Sequence, residues 1–153
     1  MIGLLQRVSE AQVTVDGAVI GSIAGGLLVF LAVEAGDTAT QADRLIERLI
    51  GYRVFPDPAG LMNLSLHDTR GGLLLVPQFT LAADTDKGMR PSLGRAAPPE
   101  QGRALFDRAT ARARLQLGDR VATGKFGAHM QVRLTNDGPV TFWLRVPPGE
   151  GKL

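Results

Sequence analysis

The sequence predicts an α/β domain, and three observations predict it. Two continuous apolar runs of strand length, Leu27-Leu28-Val29-Phe30-Leu31-Ala32-Val33 and Leu73-Leu74-Leu75-Val76, read as strands covered on both faces. Between them, Leu45, Ile46, Leu49 and Ile50 recur at helical spacing. Towards the C-terminus the period changes to strict alternation, Met130, Val132 and Leu134 against Gln131 and Arg133, then Val140, Phe142, Leu144 and Val146 against Thr141, Trp143 and Arg145. A chain of 153 residues falls within the range of one domain and can bury one core. We expect a single domain over 1–146 and a loose tail over 147–153, which offers nothing to pack.

Taken in order, residues 4–8 and 12–20 read as strands, the second broken by Asp16-Gly17, a dipeptide suited to the positive φ angles of a tight hairpin. Gly25-Gly26 leads into the run 27–33, the expected central strand. Thr40 can cap the first helix, with Asp43 three residues on; Arg44, Glu47 and Arg48 face out, and the helix ends near Gly51. Residues 52–55 can return as a strand before the turn chemistry of Pro56-Asp57-Pro58-Ala59-Gly60. Gly71-Gly72 precedes the second apolar run. Residues 83–97 are rich in Gly, Pro and charge without periodicity, a length of loop that in compact domains marks function or motion. Pro98-Pro99 starts a second helix with Leu105, Phe106 and Ala109 on one face, and Gly118 ends it. The alternating segments either side of Asn136-Asp137-Gly138-Pro139 predict a closing hairpin.

Composition narrows the function classes. Hydrophobic residues make up 44% and charged residues 21%, which excludes disorder as the main description. No basic stretch precedes a long apolar one at the start, and the run 27–33 is too short to span a bilayer, so we expect no membrane partner and a cytoplasmic location. The absence of cysteine excludes disulfides, thiolate nucleophiles and Cys-ligated zinc together. A net charge of +2 permits a nucleic-acid partner without demanding one.

Catalytic groups are scarce. The two histidines, His67 and His129, stand in no metal-ligand spacing, so neither a metal nor another cofactor is expected. No Gly-x-Ser-x-Gly elbow exposes a serine. His67 reads as an exposed loop residue; His129 is explained equally by a ligand contact or by strand entry. Gly25-Gly26 and Gly71-Gly72 extend to no phosphate-binding motif and read as turn residues. Arg108 and Arg112, with Arg103, Arg114, Arg120 and Lys125 nearby, could track an RNA backbone, although a solvated helix face is the ordinary reading. Two segments resist such readings better. Pro77-Gln78-Phe79-Thr80-Leu81 leaves the core carrying a polar amide, an aromatic ring and a hydroxyl in succession, where ligand sites are often built. Asn136-Asp137-Gly138-Pro139 reads from spacing alone as a plain turn, but Gly before Pro allows unusual backbone geometry.

Together these two segments resemble the signature motifs of the D-aminoacyl-tRNA deacylases, Ser-Gln-Phe-Thr-Leu and Asn-x-Gly-Pro-Val-Thr. Gln6-Arg7-Val8, Asn63-Leu64, Ala82-Ala83-Asp84-Thr85, Gly88-Met89-Arg90-Pro91-Ser92, Gly124-Lys125-Phe126-Gly127-Ala128 and Phe142-Trp143-Leu144 extend the likeness, in order, to about residue 146. The resemblance implies a compact, barrel-like β-sheet domain with two main helices. It implies a homodimer in which Gly138 and Pro139 of one subunit, joined by a cis bond, enter the site of the other and exclude L-amino acids while admitting D-residues and glycine, including glycine mischarged on alanine tRNA. The substrate would be the aminoacylated acceptor end of tRNA, with no DNA partner. Gln78, Phe79 and Thr80 would be the catalytic residues, and Gly138, Pro139, Pro77, Asn136 and Met130 would bind substrate and select its chirality.

On this view the ribose hydroxyl beside the ester assists hydrolysis, and backbone N–H groups near Gln78, Phe79 and Thr80 stabilise the oxyanion. Thr80 as a covalent nucleophile is the competing mechanism, and nothing in the sequence activates its hydroxyl. Pro77 stands where the family usually has Ser, which removes a hydroxyl and a backbone N–H. Proline there is similar to a sister branch with relaxed chirality that acts on L-alanyl-tRNA. Two other readings stay open: a non-catalytic tRNA-binding module, and a broader esterase for small D-amino acid esters.

Overall fold

The computed structural model describes residues 1–149. Strand β1 (Ile2–Val15) and strand β2 (Ala18–Ile23) form the opening hairpin, and at their junction Asp16 and Gly17 take φ angles of 49° and 79°. The segments read as separate strands at 4–8 and 12–15 are one strand, because β8 (Gln131–Arg145) pairs antiparallel along nearly all of β1 and keeps it extended. β3 (Gly26–Ala32) is antiparallel to the first half of β1. The chain then crosses through helix α1 (Ala39–Gly51) to β6 (Gly72–Pro77), which is parallel to β3. Between α1 and β6, β4 (Phe55–Pro56) and β5 (Met62–Leu64) form a separate two-stranded sheet. Of the strand expected over 52–55 only Phe55 is extended in a ladder. Arg7 and the Phe142 ring hold the preceding residues: Arg7 Nη1 donates to the Val54 carbonyl at 2.7 Å, and Tyr52 packs edge-on to Phe142 at 5.7 Å. Helix α2 (Pro99–Leu117) follows the long loop, and β7 (Val121–Thr123), a strand with no clear sequence signal, adds parallel to β6.

The main sheet therefore runs β2-β1-β3-β6-β7, with β8 also on β1. Its edges meet: a Cβ on Gly21 of β2 would lie 2.5 Å from the Thr123 carbonyl oxygen of β7. The sheet is thus nearly closed, a barrel-like arrangement with two helices. Closure explains the continuous apolar runs. Leu27, Val29, Leu31, Leu73 and Leu75 pack under α1 and α2, while Leu28, Leu74 and Val76 fill the barrel with Val8, Ala11 and Val13. Gly26 and Gly72, read from sequence as turn residues, open β3 and β6, where a Cβ on Gly26 would stand 2.0 Å from the Gly72 carbonyl oxygen. They are glycines because two backbones touch there.

The expected closing hairpin is not formed. Residues 131–145 run as one strand against β1, and Asn136-Asp137-Gly138-Pro139 is a bulge: the step from Gln6 to Val8 is matched on β8 by the step from Thr141 to Asn136. The helices follow their local signals more closely. Pro99 sits in the first turn of α2 and Gly118 ends it at φ 58°. The cap of α1 is Thr38, not Thr40; its hydroxyl accepts from the Thr40 N–H while Gln41 Oε1 accepts from the Thr38 N–H at 2.8 Å, a complete capping box. Thr38→Ala should cost about 1 kcal/mol, read as a shift in the urea midpoint, and Thr40→Ala far less.

The Met1 ammonium is fully buried. It donates to Glu34 Oε2 at 3.0 Å, Asp37 Oδ1 at 2.8 Å and the Val146 carbonyl at 2.7 Å, and Glu34 also takes a bidentate pair from Arg145. Burial pushes the Glu34 carboxyl up, but the bonds and charges of Arg145 and the ammonium outweigh it and hold the group below its ordinary value. For Asp37 burial prevails over its bonds, and the value is raised. Beyond Val146, the Pro147 carbonyl accepts from Gln41 Nε2 at 3.5 Å and Pro148 lies against Gly36. The rest of the expected loose tail, 150–153, lies outside the described residues.

Candidate active site

The parallel strands β3 and β6 end at one side of the barrel, the position where open and half-open α/β sheets build ligand sites. A pocket of about 430 Å³ lies there. Leu31, Val33, Val76 and Pro77 from the strand ends form one wall; Gly102 and Phe106 of α2, with Phe126, form another; Ala128, His129 and Met130 lead the chain from the pocket into β8. The lining is mainly apolar, and His129, which is exposed, is its only ionisable side chain among the described residues. No group of three or more His, Cys, Asp or Glu that could hold a metal occurs among the described residues.

The motif after β6 supplies the polar edge. Gln78 bends the chain out of the strand, its N–H donating to the Leu31 carbonyl at 2.8 Å, and Phe79–Ala82 forms a short 3₁₀ helix. The opening N–H groups of a helix have no acceptor inside it, and those of Phe79 and Thr80 have none elsewhere among the described residues, whereas that of Gln78 is used by the sheet. Gln78 Nε2 donates to Thr80 Oγ1. No hydrogen bond joins Thr80 to His129 among the described residues. Pro77 and Met130 are held together over Gly124, where a Cβ would stand 2.8 Å from Met130 Sδ and 3.3 Å from Pro77 Cδ.

Pro77, Gln78, Phe79 and Met130 therefore meet in one pocket, with Thr80 next in the chain. Asn136, Gly138 and Pro139 do not belong to its lining. They sit in the exposed β8 bulge, where the Gly138–Pro139 bond is cis. The bulge is fastened from both sides. Arg7 Nε donates to the Asp137 carbonyl at 3.1 Å, Asn136 Oδ1 accepts from the Val140 N–H at 3.0 Å, and Asn136 Nδ2 donates to Thr141 Oγ1 at 2.8 Å. Exposed Phe142 and Trp143 follow on the same strand.

Sequence reasoning missed Gly102, Phe106 and Phe126 as pocket residues. They lie on α2 and the loop after β7, and only packing, Phe106 and Phe126 with ring centroids 6.4 Å apart, brings them beside the motif. Several cations considered as an RNA track have structural work instead. Arg108 pairs with Asp43 at 2.7 Å, Arg103 lies 5.0 Å over the Phe126 ring, and Arg120 donates to the carbonyls of Leu66, Thr69 and Gly71.

Comparison with known proteins agrees with this architecture. The D-aminoacyl-tRNA deacylase of Thioalkalivibrio sulfidiphilus is 64% identical, covering 97% of this chain and 99% of that protein. That of Methylococcus capsulatus is 62% identical, over 97% and 96%. A solved structure of a c-Myc DNA unwinding element binding protein superposes with a TM-score of 0.92 at 36% identity, over 96% of this chain and 99% of that one. A structure described as a probable eukaryotic D-amino acid tRNA deacylase, at 20% identity and a TM-score of 0.81, covering 94% and 97%, shares the fold. The model of the D-Tyr-tRNA(Tyr) deacylase family matches residues 4–145, and with relatives this similar over nearly their whole length, the chain belongs to that family.

Proposed function

We propose that the pocket takes the aminoacyl end of a D-aminoacyl-tRNA and hydrolyses its ester, releasing the D-amino acid and free tRNA. The observation that carries this reading is the pair of N–H donors of Phe79, which lines a mainly apolar pocket with one exposed histidine, and of Thr80, next in the chain, neither of which has an acceptor among the described residues. Such a site can bind, orient and stabilise an oxyanion, but has little means to activate a nucleophile. The ribose hydroxyl beside the ester supplies what the protein lacks: water adds to the carbonyl carbon, the carbon–oxygen bond to the ribose breaks, and that ribose oxygen takes the proton.

Selection of the D form, in this reading, comes from Gly138 and Pro139 of a second copy of the chain, with Pro77 and Met130 shaping the wall they face. Two features support it: the bulge is rigid yet outside its own pocket, and exposed Phe142, Trp143 and Phe79 offer apolar surface for a homodimer contact. Glycine, lacking a side chain to exclude, would be accepted, from alanine tRNA among others, and Pro77 in place of serine opens the range towards L-alanine. The substrate puts the reaction in the cytoplasm, within one domain over 1–146.

Release of labelled amino acid from D-Tyr-tRNA and L-Tyr-tRNA under matched conditions tests this. Loss from the D form alone is expected; no release from either would end the hydrolase reading. A second reading, nucleic-acid binding without turnover, is favoured by the DNA partner in the name of the 36% identical neighbour. Tight binding of duplex DNA or uncharged tRNA with no turnover would establish it. Within the hydrolase reading, Thr80→Ala should keep activity within about tenfold, whereas a substrate ending in 2′-deoxyadenosine should lose it by a factor of roughly 10³. The reverse pattern would make Thr80 the nucleophile.

A further inference from the structure

The loop 83–97 is built as a pinned stem with a free tip. It leaves the 3₁₀ helix behind Phe79, anchored by buried Ala82 against Ile2 and Ala32, and returns through Ala97, whose N–H donates to the Val33 carbonyl at 3.0 Å. The 3₁₀ helix it leaves begins at the pocket residue Phe79, and the loop's last residue, Ala97, also lines the pocket. Midway, Asp84 and Ser92 exchange backbone hydrogen bonds of 2.7 and 2.9 Å. Arg95 crosses the stem to Asp84 at 3.0 Å and to Asp86 at 3.6 Å, so both acids of the loop face a cation of the stem.

What remains is Lys87-Gly88-Met89-Arg90. Lys87 and Arg90 are exposed and have no hydrogen bond or ion pair among the described residues, and Met89 between them is 100% exposed. Gly88 turns the tip at φ 71°. With both aspartates paired to Arg95, Lys87 and Arg90 are the exposed charges of the tip left to meet a polyanion, and long loops that are ordered at the stem commonly serve binding. Chain reach alone keeps Lys87 within about 30 Å of Phe79.

We propose that Lys87 and Arg90 contact phosphates of the RNA strand whose aminoacyl end occupies the pocket, so that the tip holds the polynucleotide while the pocket holds the ester. This rests on the reading of the pocket as an aminoacyl-tRNA site. It places the RNA contacts on the loop; on α2, Arg108 and Arg103 already have partners, whereas Arg112 and Arg114 are exposed.

The test compares wild type with the double variant Lys87→Ala, Arg90→Ala on two substrates, D-Tyr-tRNA and D-tyrosyl-adenosine, which carries no phosphate. The variant should raise KM roughly tenfold on the tRNA, leave kcat within twofold, leave D-tyrosyl-adenosine unaffected, and lower the log–log salt slope of tRNA binding by about 2, one for each phosphate that the variant no longer neutralises. Unchanged KM on the tRNA, or equal loss on both substrates, would overturn the proposal. If wild type hydrolyses neither ester, the hydrolase reading fails, and the salt slope for uncharged tRNA decides the tip by itself: a drop of about 2 supports it and an equal slope refutes it. Duplex DNA that binds wild type as tightly as tRNA and loses equally in the variant would make the tip a general polyanion patch and refute the RNA contact.

Discussion

Gly138→Ala is expected to lower hydrolysis of D-Tyr-tRNA by at least roughly a hundredfold while leaving the protein folded. Gly138 takes φ 143°, a backbone conformation that side chains rarely adopt, and an added Cβ would lie 2.6 Å from Val140 Cγ2 and 2.8 Å from Val140 N. The neighbours cannot yield cheaply, because Asn136 Oδ1 holds the Val140 N–H at 3.0 Å and Arg7 Nε holds the Asp137 carbonyl at 3.1 Å. The bulge must shift instead, and displacements of about 1 Å in a positioning element cost on the order of 10²-fold in rate. The bulge is exposed, so the core is untouched. The measurement is kcat/KM on D-Tyr-tRNA beside a urea midpoint; an unchanged rate would remove the bulge from the mechanism. Mixing Gly138→Ala with a variant whose own pocket is filled, such as Ala128→Phe, should restore part of the activity if the bulge serves a partner's pocket. No recovery on mixing would confine it to its own chain.

Glu34→Gln is expected to cost about 3–5 kcal/mol of stability at neutral pH, the usual result of removing one member of a buried ion cluster. The change leaves the Met1 ammonium, fully buried, with Asp37 and the Val146 carbonyl, and strips Arg145 of its bidentate carboxylate. The pH dependence has a definite sign. The folded Glu34 carboxyl lies below its ordinary value, so its contribution is complete above that value and is lost as pH falls through the lowered one. Asp37, raised by burial, acts in the opposite sense: its contribution is complete below its ordinary value and declines as pH rises through the raised one. Denaturant midpoints at neutral pH and below the carboxylate range should therefore converge between wild type and Glu34→Gln on the acid side. A variant equal to wild type at neutral pH would show that the cluster does not stabilise the fold.

Local chemistry was enough for several elements. Asp16-Gly17 specified its hairpin because few dipeptides accept positive φ twice, and α1 and α2 followed from apolar spacing closed by Gly51 and by Pro99 and Gly118. The runs around Leu28 and Leu74 were legible as doubly covered strands, since no polar residue interrupts either face. Gln78, Phe79, Thr80, Gly138 and Pro139 stood out because polar and special-backbone residues emerge there from apolar runs, and of these Gln78 and Phe79 line the pocket.

The alternation from Met130 to Val146 marked the core-facing side chains except Phe142, which is exposed, but period two is the same for a hairpin as for one long strand. Only the partner distinguishes them, and β1, which shares no local signal with β8, takes both halves. For the same reason the sequence marked Gly138-Pro139 as a turn where packing made a bulge. The buried Met1 ammonium, the Gly26–Gly72 approach and the aromatic floor at Phe106 and Phe126 join residues far apart in the chain. The order of residues thus specified most of the elements, their buried faces and the positions of unusual chemistry. Which strand pairs with which, and which of those positions share a pocket, was settled only in three dimensions, because propensity and periodicity act within a few residues while pairing and closure depend on burial across the whole chain.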